Sequence, residues 1–524
     1  MLFTKRAALA ALFTLSAAAG FAQSKTLDGI QNMHRSALSP IYAGNEVKGY
    51  LMFAHGDKAD RKNDNYLLDF YDQDLGKVSN ITIQKPANRF TLLNNSFNGS
   101  AFAFYFLNSK EGTLEMETYD TSLKKLGSKV IEDLSKADKM VLQGQLQGNT
   151  GDAAVMGGAM HLFPVPGQGF VRNSYTGMMK GFALVMYDDN MKPKWRFASD
   201  EKSKFYESIG LTEATDKYIL AMKMRRDGAM SRQMTSSMVA IDATTGKKVM
   251  DMPVETSKTE QLSLSSFTFD ASKREFVAVG EYYRLDDKPF VNKSLGFYIK
   301  RFNEAGKLVG TKNYGWQKEV MSLMPAEARP SLEDNYVNYT HSIVKGSNGK
   351  LYIVAEQFKI VGDGLGIALT VLGGRGASVS KGKVANMFVF ELDPEAKLSS
   401  VKFYPKNVTN ATLPAGTGFM SAGLLGSIMK SQGDFDYQFM QRDDANTQFN
   451  VVYINFDKEK GEDAKLYIGN IAFGDNGKYA FDKIDMTTGA NYSYLYPAKP
   501  GYVMLAGFNK KKSQLGMKLV KLNI

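Results

Sequence analysis

The chain has 524 residues, 44% of them apolar, a formal net charge of +11 and no cysteine. It is long and apolar enough to bury a large core, and it must stand on that core without disulfides or a thiol nucleophile. The positive excess favours anionic partners, such as lipid headgroups, acidic polysaccharide, phosphate or nucleic acid, although it also serves solubility.

Residues 1–22 have the pattern of a cleaved signal peptide. Lys5 and Arg6 precede an apolar run from Ala7 to Phe21, and Gly20 and Ala22 make a small-x-small site before Gln23. The run is shorter than the ~20 residues of a spanning helix, and no other uncharged stretch approaches that length, so no transmembrane segment is expected. Losing Lys5 and Arg6 lowers the charge from +11 to about +9. No cysteine follows the cleavage site to carry a lipid anchor. The expectation is an exported protein, periplasmic, outer-membrane-associated or extracellular, with residues 23–524 as a single domain.

From there the chain repeats. Tyr50, Phe102, Phe170, Tyr218, Phe276, Tyr352, Phe449 and Tyr502 each open a short apolar strand, as in KGYLMFAHG and REFVAVGEYY. A partner strand follows each, ending at Asp72, Asp120, Asp188, Asp242, Asn303, Asp393, Asp475 and Asn523. The openers are 48 to 97 residues apart, enough for four short strands and generous loops. Turn sequences such as DATTGKK and GDNGK punctuate the strands, and the 14 prolines avoid them.

Each unit therefore predicts a four-stranded antiparallel meander, A–B–C–D. The opener starts B, the Asp or Asn caps the C–D turn, and D follows, as in KVSNITIQ from Lys77. Strand A is exemplified by ALSPIYA before the first opener and FDYQFMQ before the seventh. Radial stacking covers both faces of such sheets, which resembles β-propeller proteins at the level of architecture. The fold class is all-β, a β-propeller of four-stranded antiparallel blades, eight of them with seven as the alternative, and loop or helix inserts on one face. The eighth repeat lacks a D strand after Asn523, and residues 26–33 are expected to supply it. No particular propeller family is matched. Gly-His/Trp-Asp pairs and Asp-boxes are missing, and only two Trp are present.

Against this frame the irregularities fall on the edge that carries the B–C and D–A loops. The excess lies in the sixth B–C loop, 361–383, and in D–A loops near 135–152, 314–334 and 405–433. The two longest inserts are apolar. One offers Leu365, Ile367 and Leu372 with Arg375; the other offers Phe419, Leu424, Leu425 and Met429, whose spacing suits one helix face. Trp316, Val320, Met321 and Met324 add a third helical pattern. Two outcomes are open: a cap packed on the propeller, or an exposed docking patch. Basic residues collect on the same edge, with Arg225 and Arg226 in the fourth B–C loop and Lys511 in the eighth.

No catalytic, cofactor-binding or metal-binding motif is legible. The four histidines make no ligand pair, and His161 and His341 fall in A strands, where they could face the channel. No nucleophile elbow, P-loop or EF-hand spacing occurs. Nucleic-acid motifs are missing as well, and export argues against that partner. The residues point to a binding or scaffold propeller of the bacterial cell envelope that engages a protein, a glycan or an anionic lipid surface, without a cofactor. The alternative is a glycan-acting hydrolase or lyase with its site in the axial funnel.

Overall fold

A computed structural model describes residues 23–30, 33, 37–87, 89–132, 134, 136, 138–139, 162–176, 180–200, 202–228, 234–254, 259–287, 292–332, 336–361, 381–413, 422–458 and 463–522. Its strands form eight antiparallel sheets, the blades of an eight-bladed β-propeller. Two compact units are distinguished. Blades 1 and 8 form one, from the residues before 88 and after 485; blades 2 to 7 form the other, from residues 88–485. Among the described residues no helix is long and apolar enough to cross a membrane.

All eight aromatic openers lie in the second strand of a blade, as the repeat predicts. These strands are apolar on both faces because each is sandwiched between neighbouring sheets. In Ala101–Asn108 every side chain is buried. In blade 5, Phe276 pairs with Phe269 on the inner side and Phe302 on the outer. Its ring also meets Tyr218 of blade 4 at 5.1 Å. One mixed core therefore forms between the two blades, around Leu220, Ala240, Phe267 and Ala278. Outer strands have a free edge and alternate half-buried with exposed residues, as in Lys77–Pro86. A lysine such as Lys77 on that strand discourages edge-to-edge pairing.

The repeated acid does the structural job its position implies. Oδ1 of Asp72 accepts from the backbone N–H of Asp74 (2.9 Å) and Gly76 (2.8 Å). Asp120, Asp188, Asp242, Asn303 and Asp393 repeat this in their own turns. In the same six blades the C–D register shifts by one residue at this end. Asp475 differs: it accepts from the Asn348 N–H of blade 6 (3.1 Å). Asn523 lies outside the described residues. In four turns the residue three after the acid is left-handed without being glycine: Leu75, Leu123, Met191 and Ala396, with φ between 61° and 66°. That conformation costs about 1–2 kcal/mol, but all four side chains are buried, which offsets it for the larger ones.

Blade 8 is completed from the N-terminal side. Ser24–Leu27 pairs with Gln514–Lys521, from Ser24 opposite Lys518 to Leu27 opposite Leu515. The strand starts two residues before the expected segment and ends sooner, because Gly29 at φ +76° turns the chain away. Two of the four long inserts are described and fall where the repeat places them; those at 135–152 and 361–383 lie mostly outside the described residues. Residues 316–332 form short π-, α- and 3-10 helical turns between blades 5 and 6. The insert before blade 7 contributes a fifth strand to blade 6, Thr409–Thr412, and the helix Ala422–Gln432. Residues 1–22 and 362–380 lie outside the described residues.

Candidate functional site

The apolar inserts are packed, where they are described. Trp316, Val320 and Met324 belong to the core between blades 5 and 6. The helix Ala422–Gln432 has the expected apolar face, but that face points inward. Leu425 and Met429 pack with Val337, Tyr339, Phe358 and Phe435, and Leu424 is 5% exposed. Leu424, Leu425 and Met429 are thereby removed from any exposed docking patch: the helix gains more by covering blade 6 than by facing water. Leu365, Ile367, Leu372, Arg375 and Phe419 lie outside the described residues. Arg225 is exposed, with its guanidinium 4.2 Å from the centre of the Phe205 ring, and Arg226 is half-buried. Lys511 is exposed in a turn of the other unit.

Two glycines let the helix press on the inner strands of blades 5 and 6. A Cβ on Gly423 would stand 1.6 Å from the Leu264 carbonyl oxygen, and one on Gly426 2.1 Å from the Tyr339 ring. The Gly423 N–H donates to Ser263 Oγ (3.0 Å). Ser263 and Tyr339 stand near the starts of their strands, Glu260–Asp270 and Val337–Lys345, so the helix closes that end.

Beneath the helix lies a cavity of about 890 Å³, walled by the inner strands of blades 4 to 7. Its strand lining is buried at Ser265 and His341, Lys430 and Ser431 of the helix keep exposed surface, and in the A–B turn Ala271 and Ser272 are exposed. The cavity thus opens on the edge carrying the A–B turns, opposite the insert edge that the loop lengths favoured.

Each of the four inner strands carries a β-bulge. The register slips at Leu211/Glu213, Leu264/Ser266, Thr340/Ser342 and Tyr437/Phe439. The extra residues are Thr212, Ser265, His341 and Gln438, all polar, and the first three line the cavity. A bulge re-aims a side chain and interrupts a strand's free edge. Side-chain hydroxyls of Ser266, Thr268 and Ser342, and of Ser427 and Ser431 on the helix, share the remaining wall with apolar side chains such as Leu211, Met222, Phe269, Ile343 and Met440.

Five charged residues join them. Lys345 Nζ lies 3.2 Å from Asp270 Oδ2 at the mouth. Glu213 and Arg442 sit within electrostatic reach of each other; burial raises the Glu213 carboxyl above its ordinary value and lowers the Arg442 guanidinium. Lys430 donates to the His341 carbonyl oxygen (2.7 Å), and burial holds its ammonium down at about 8. Lys430 and Arg442 keep much accessible surface although protein surrounds them, because that surface faces the cavity.

Behind the wall is a second, closed set of charges. His341 Nε2 lies 2.9 Å from Glu356 Oε2, and the ring stacks on Tyr437 at 4.2 Å. Lys406 Nζ lies 2.6 Å from Glu356 Oε1 and also bonds Asp436. Asp436 accepts from Thr409 Oγ1 and Asn455 Nδ2, both at 2.8 Å. Burial opposes charge on Glu356 and Lys406 alike. Their attraction outweighs it, lowering the Glu356 carboxyl and raising the Lys406 ammonium. Burial drives His341 down to about 4, against the pull of Glu356. The imidazole is therefore neutral at pH 7, with Nε2–H directed at the carboxylate. His341 is in an inner strand as expected, but its side chain has no exposed surface, so it works as packing. Among the described residues no group of three His, Asp or Glu is placed to hold a metal ion.

The molecule is thus a β-propeller with a cavity of mixed polar and apolar lining among the inner strands of blades 4 to 7. The chain belongs to a family of unknown function, DUF6770, whose model matches residues 3–523. No curated protein matches it in sequence. Among solved structures it is similar to a prolyl endopeptidase, with 10% identity and a TM-score of 0.37 over 91% of this chain and 53% of that one. It is also similar to prolyl oligopeptidase B from Galerina marginata, with 7% identity and a TM-score of 0.40 over 92% and 56%. A third is the β-propeller domain of the Trilobed protease from Pyrococcus furiosus, with 10% identity and a TM-score of 0.35 over 86% and 97%. The chain spans about half the length of the two prolyl peptidases. Likeness this distant concerns fold alone.

Proposed function

We propose that the protein is an exported binding propeller of the cell envelope, and that its ligand is a glycan held in the cavity of blades 4 to 7. The observation that carries this is the character of the wall. It is a cavity of about 890 Å³ whose inner-strand bulges and helix present hydroxyl groups inward. A hydroxyl both donates and accepts, which matches the hydroxyls of a sugar. The volume is at the upper end of ordinary ligand sites, about 300–1,000 Å³. A peptide adding to a free strand edge fits less well, because every inner edge here is broken by a bulge. Export is supported by the signal pattern of residues 1–22.

The test is calorimetric titration with a panel of trisaccharides against the wild type and Ser266→Trp, which fills the cavity from a half-buried wall position. Binding by the wild type and its loss in the variant, with unchanged melting, are expected. Equal binding by both would place the ligand elsewhere. One observation favours a second reading, hydrolysis of the bound glycan. Glu213 with a raised carboxyl and Asp270 with a lowered one line the same cavity. Asp270 is also committed to its own turn through Ser272 and Lys273. Reducing-end release lost in Glu213→Gln would establish hydrolysis; no release by the wild type would dismiss it.

A further inference from the structure

Two lysines stand on either side of His341, and the protein treats them differently. Lys406, behind the ring, is met by two carboxylates, Glu356 and Asp436. Lys430, on the cavity side, is met by a neutral carbonyl, the His341 oxygen at 2.7 Å, and by the Tyr437 ring, 5.7 Å from its nitrogen. No carboxylate stands within ion-pairing distance of Lys430 among the described residues. Lys406 has no exposed side-chain surface, whereas Lys430 keeps accessible surface on the cavity. The surrounding protein lowers the Lys430 ammonium to about 8, and no carboxylate among the described residues offsets that.

Lys430 is also aimed. Ser427, Lys430 and Ser431 are spaced i, i+3 and i+4, on one helix face, and all three line the cavity, while Leu425 and Met429 fill the core on the other. Ser427 Oγ donates to the Gly423 oxygen (3.0 Å) and Ser431 Oγ to the Ile428 oxygen (2.7 Å). With their protons so used, both hydroxyls offer lone pairs to the cavity, suited to sugar O–H donors. The ammonium has three N–H groups and spends one on His341. Two remain for an acceptor in the cavity. The hydrogen bond to the His341 oxygen holds Lys430 in place on the helix side of the cavity.

We infer that the ligand is an acidic oligosaccharide whose anionic substituent docks on Lys430 beneath the helix, with its sugar hydroxyls on Ser427, Ser431 and the bulged inner strands. This rests on the cavity being a glycan site. The positive charge of Arg442 at the open end is already balanced by Glu213, and that of Lys345 by Asp270. Lys430 therefore supplies the charge selectivity.

The experiment is titration of the full mature chain at pH 7 with trigalacturonic acid, a sulfated trisaccharide and a neutral trisaccharide. The proteins are wild type, Lys430→Met, Lys430→Arg and Ser266→Trp. A charge-assisted contact predicts that an acidic member binds the wild type roughly ten- to a hundredfold more tightly than the neutral one. Lys430→Met should erase that preference while leaving neutral-sugar affinity, and Lys430→Arg should restore part of it. Uronate and sulfate arms identify which anion the site takes. If acidic sugars bind no better than neutral ones, or Lys430→Met keeps the preference, the inference is overturned while the glycan site stands. If no sugar binds, both readings fall.

Discussion

Acid stability should depend on two buried groups that pull in opposite directions. His341 is neutral in the fold, its imidazole held down to about 4 by burial, against 6.5 when solvated. Between these values the unfolded chain binds a proton that the folded chain refuses, so acidification through this window destabilises the protein. The rate is about 1.4 kcal/mol per pH unit, or roughly 3 kcal/mol in all. Glu281 is the mirror case. Burial raises its carboxyl to about 7 from 4.5, despite hydrogen bonds from the Asn338 N–H (2.8 Å) and Tyr283 OH (2.8 Å). Between pH 4.5 and 7 the folded state keeps a proton the unfolded state has lost, so acidification there stabilises at a similar rate. From about pH 4.5 to 6.5 the two nearly cancel in the wild type. Glu281→Gln, which imitates the protonated acid, should expose the His341 slope: stability falls by about 1.4 kcal/mol per unit more steeply on acidification than in wild type. His341→Gln should tilt the other way by a similar amount. Urea unfolding at half-unit steps reads both slopes. Identical pH dependence in all three proteins, or slopes of the same sign in the two variants, would refute the burial argument.

Three smaller effects follow from the turns and the helix. Asp188→Ala removes the acceptor of the Asn190 and Lys192 N–H groups and should cost about 1–2 kcal/mol. Asp188→Asn should be near neutral, because Asn303 does the same work in blade 5; chemical denaturation decides. At Leu123, φ 65° and 2% exposed, Leu123→Gly relieves about 1–2 kcal/mol of strain but loses about 1.5–3 of burial. Leu123→Ala loses burial without the relief, so it should be the less stable of the two by denaturant midpoint. Gly426→Ala drives a methyl into the Tyr339 ring and should cost about 1–3 kcal/mol, seen as a lower Tm. A silent substitution there would contradict the close packing of the helix.

The blade framework was legible because its signals are local. An aromatic at the start of a fully buried strand and an acid at a tight turn each act within a few residues, so Tyr50 to Tyr502 and Asp72 to Asp393 could be placed from the chain alone. The apolar face of 422–432 was legible too; its destination was not. Periodicity shows that Leu425 and Met429 share a face, and only the glycines at 423 and 426, fitted against Leu264 and Tyr339, show what that face meets. The site was hidden for a different reason. Thr212, Ser265 and Lys430 come from two blades and an insert, and the first two project as they do because of a one-residue bulge that leaves no sequence signature. The Glu356–Lys406–Asp436 set was equally invisible, since Lys406 sits in a loop and its carboxylates lie 50 and 30 positions away. One sign was available: a lone lysine among serines on the polar face of an otherwise apolar helix.

The most direct measurement of the central claim is a crystal structure with trigalacturonic acid bound. The account predicts sugar density among the inner strands of blades 4 to 7, with a carboxylate at Lys430 Nζ beneath the helix Ala422–Gln432. Density confined to the insert edge or the outer strands, with the cavity holding only water, would contradict it.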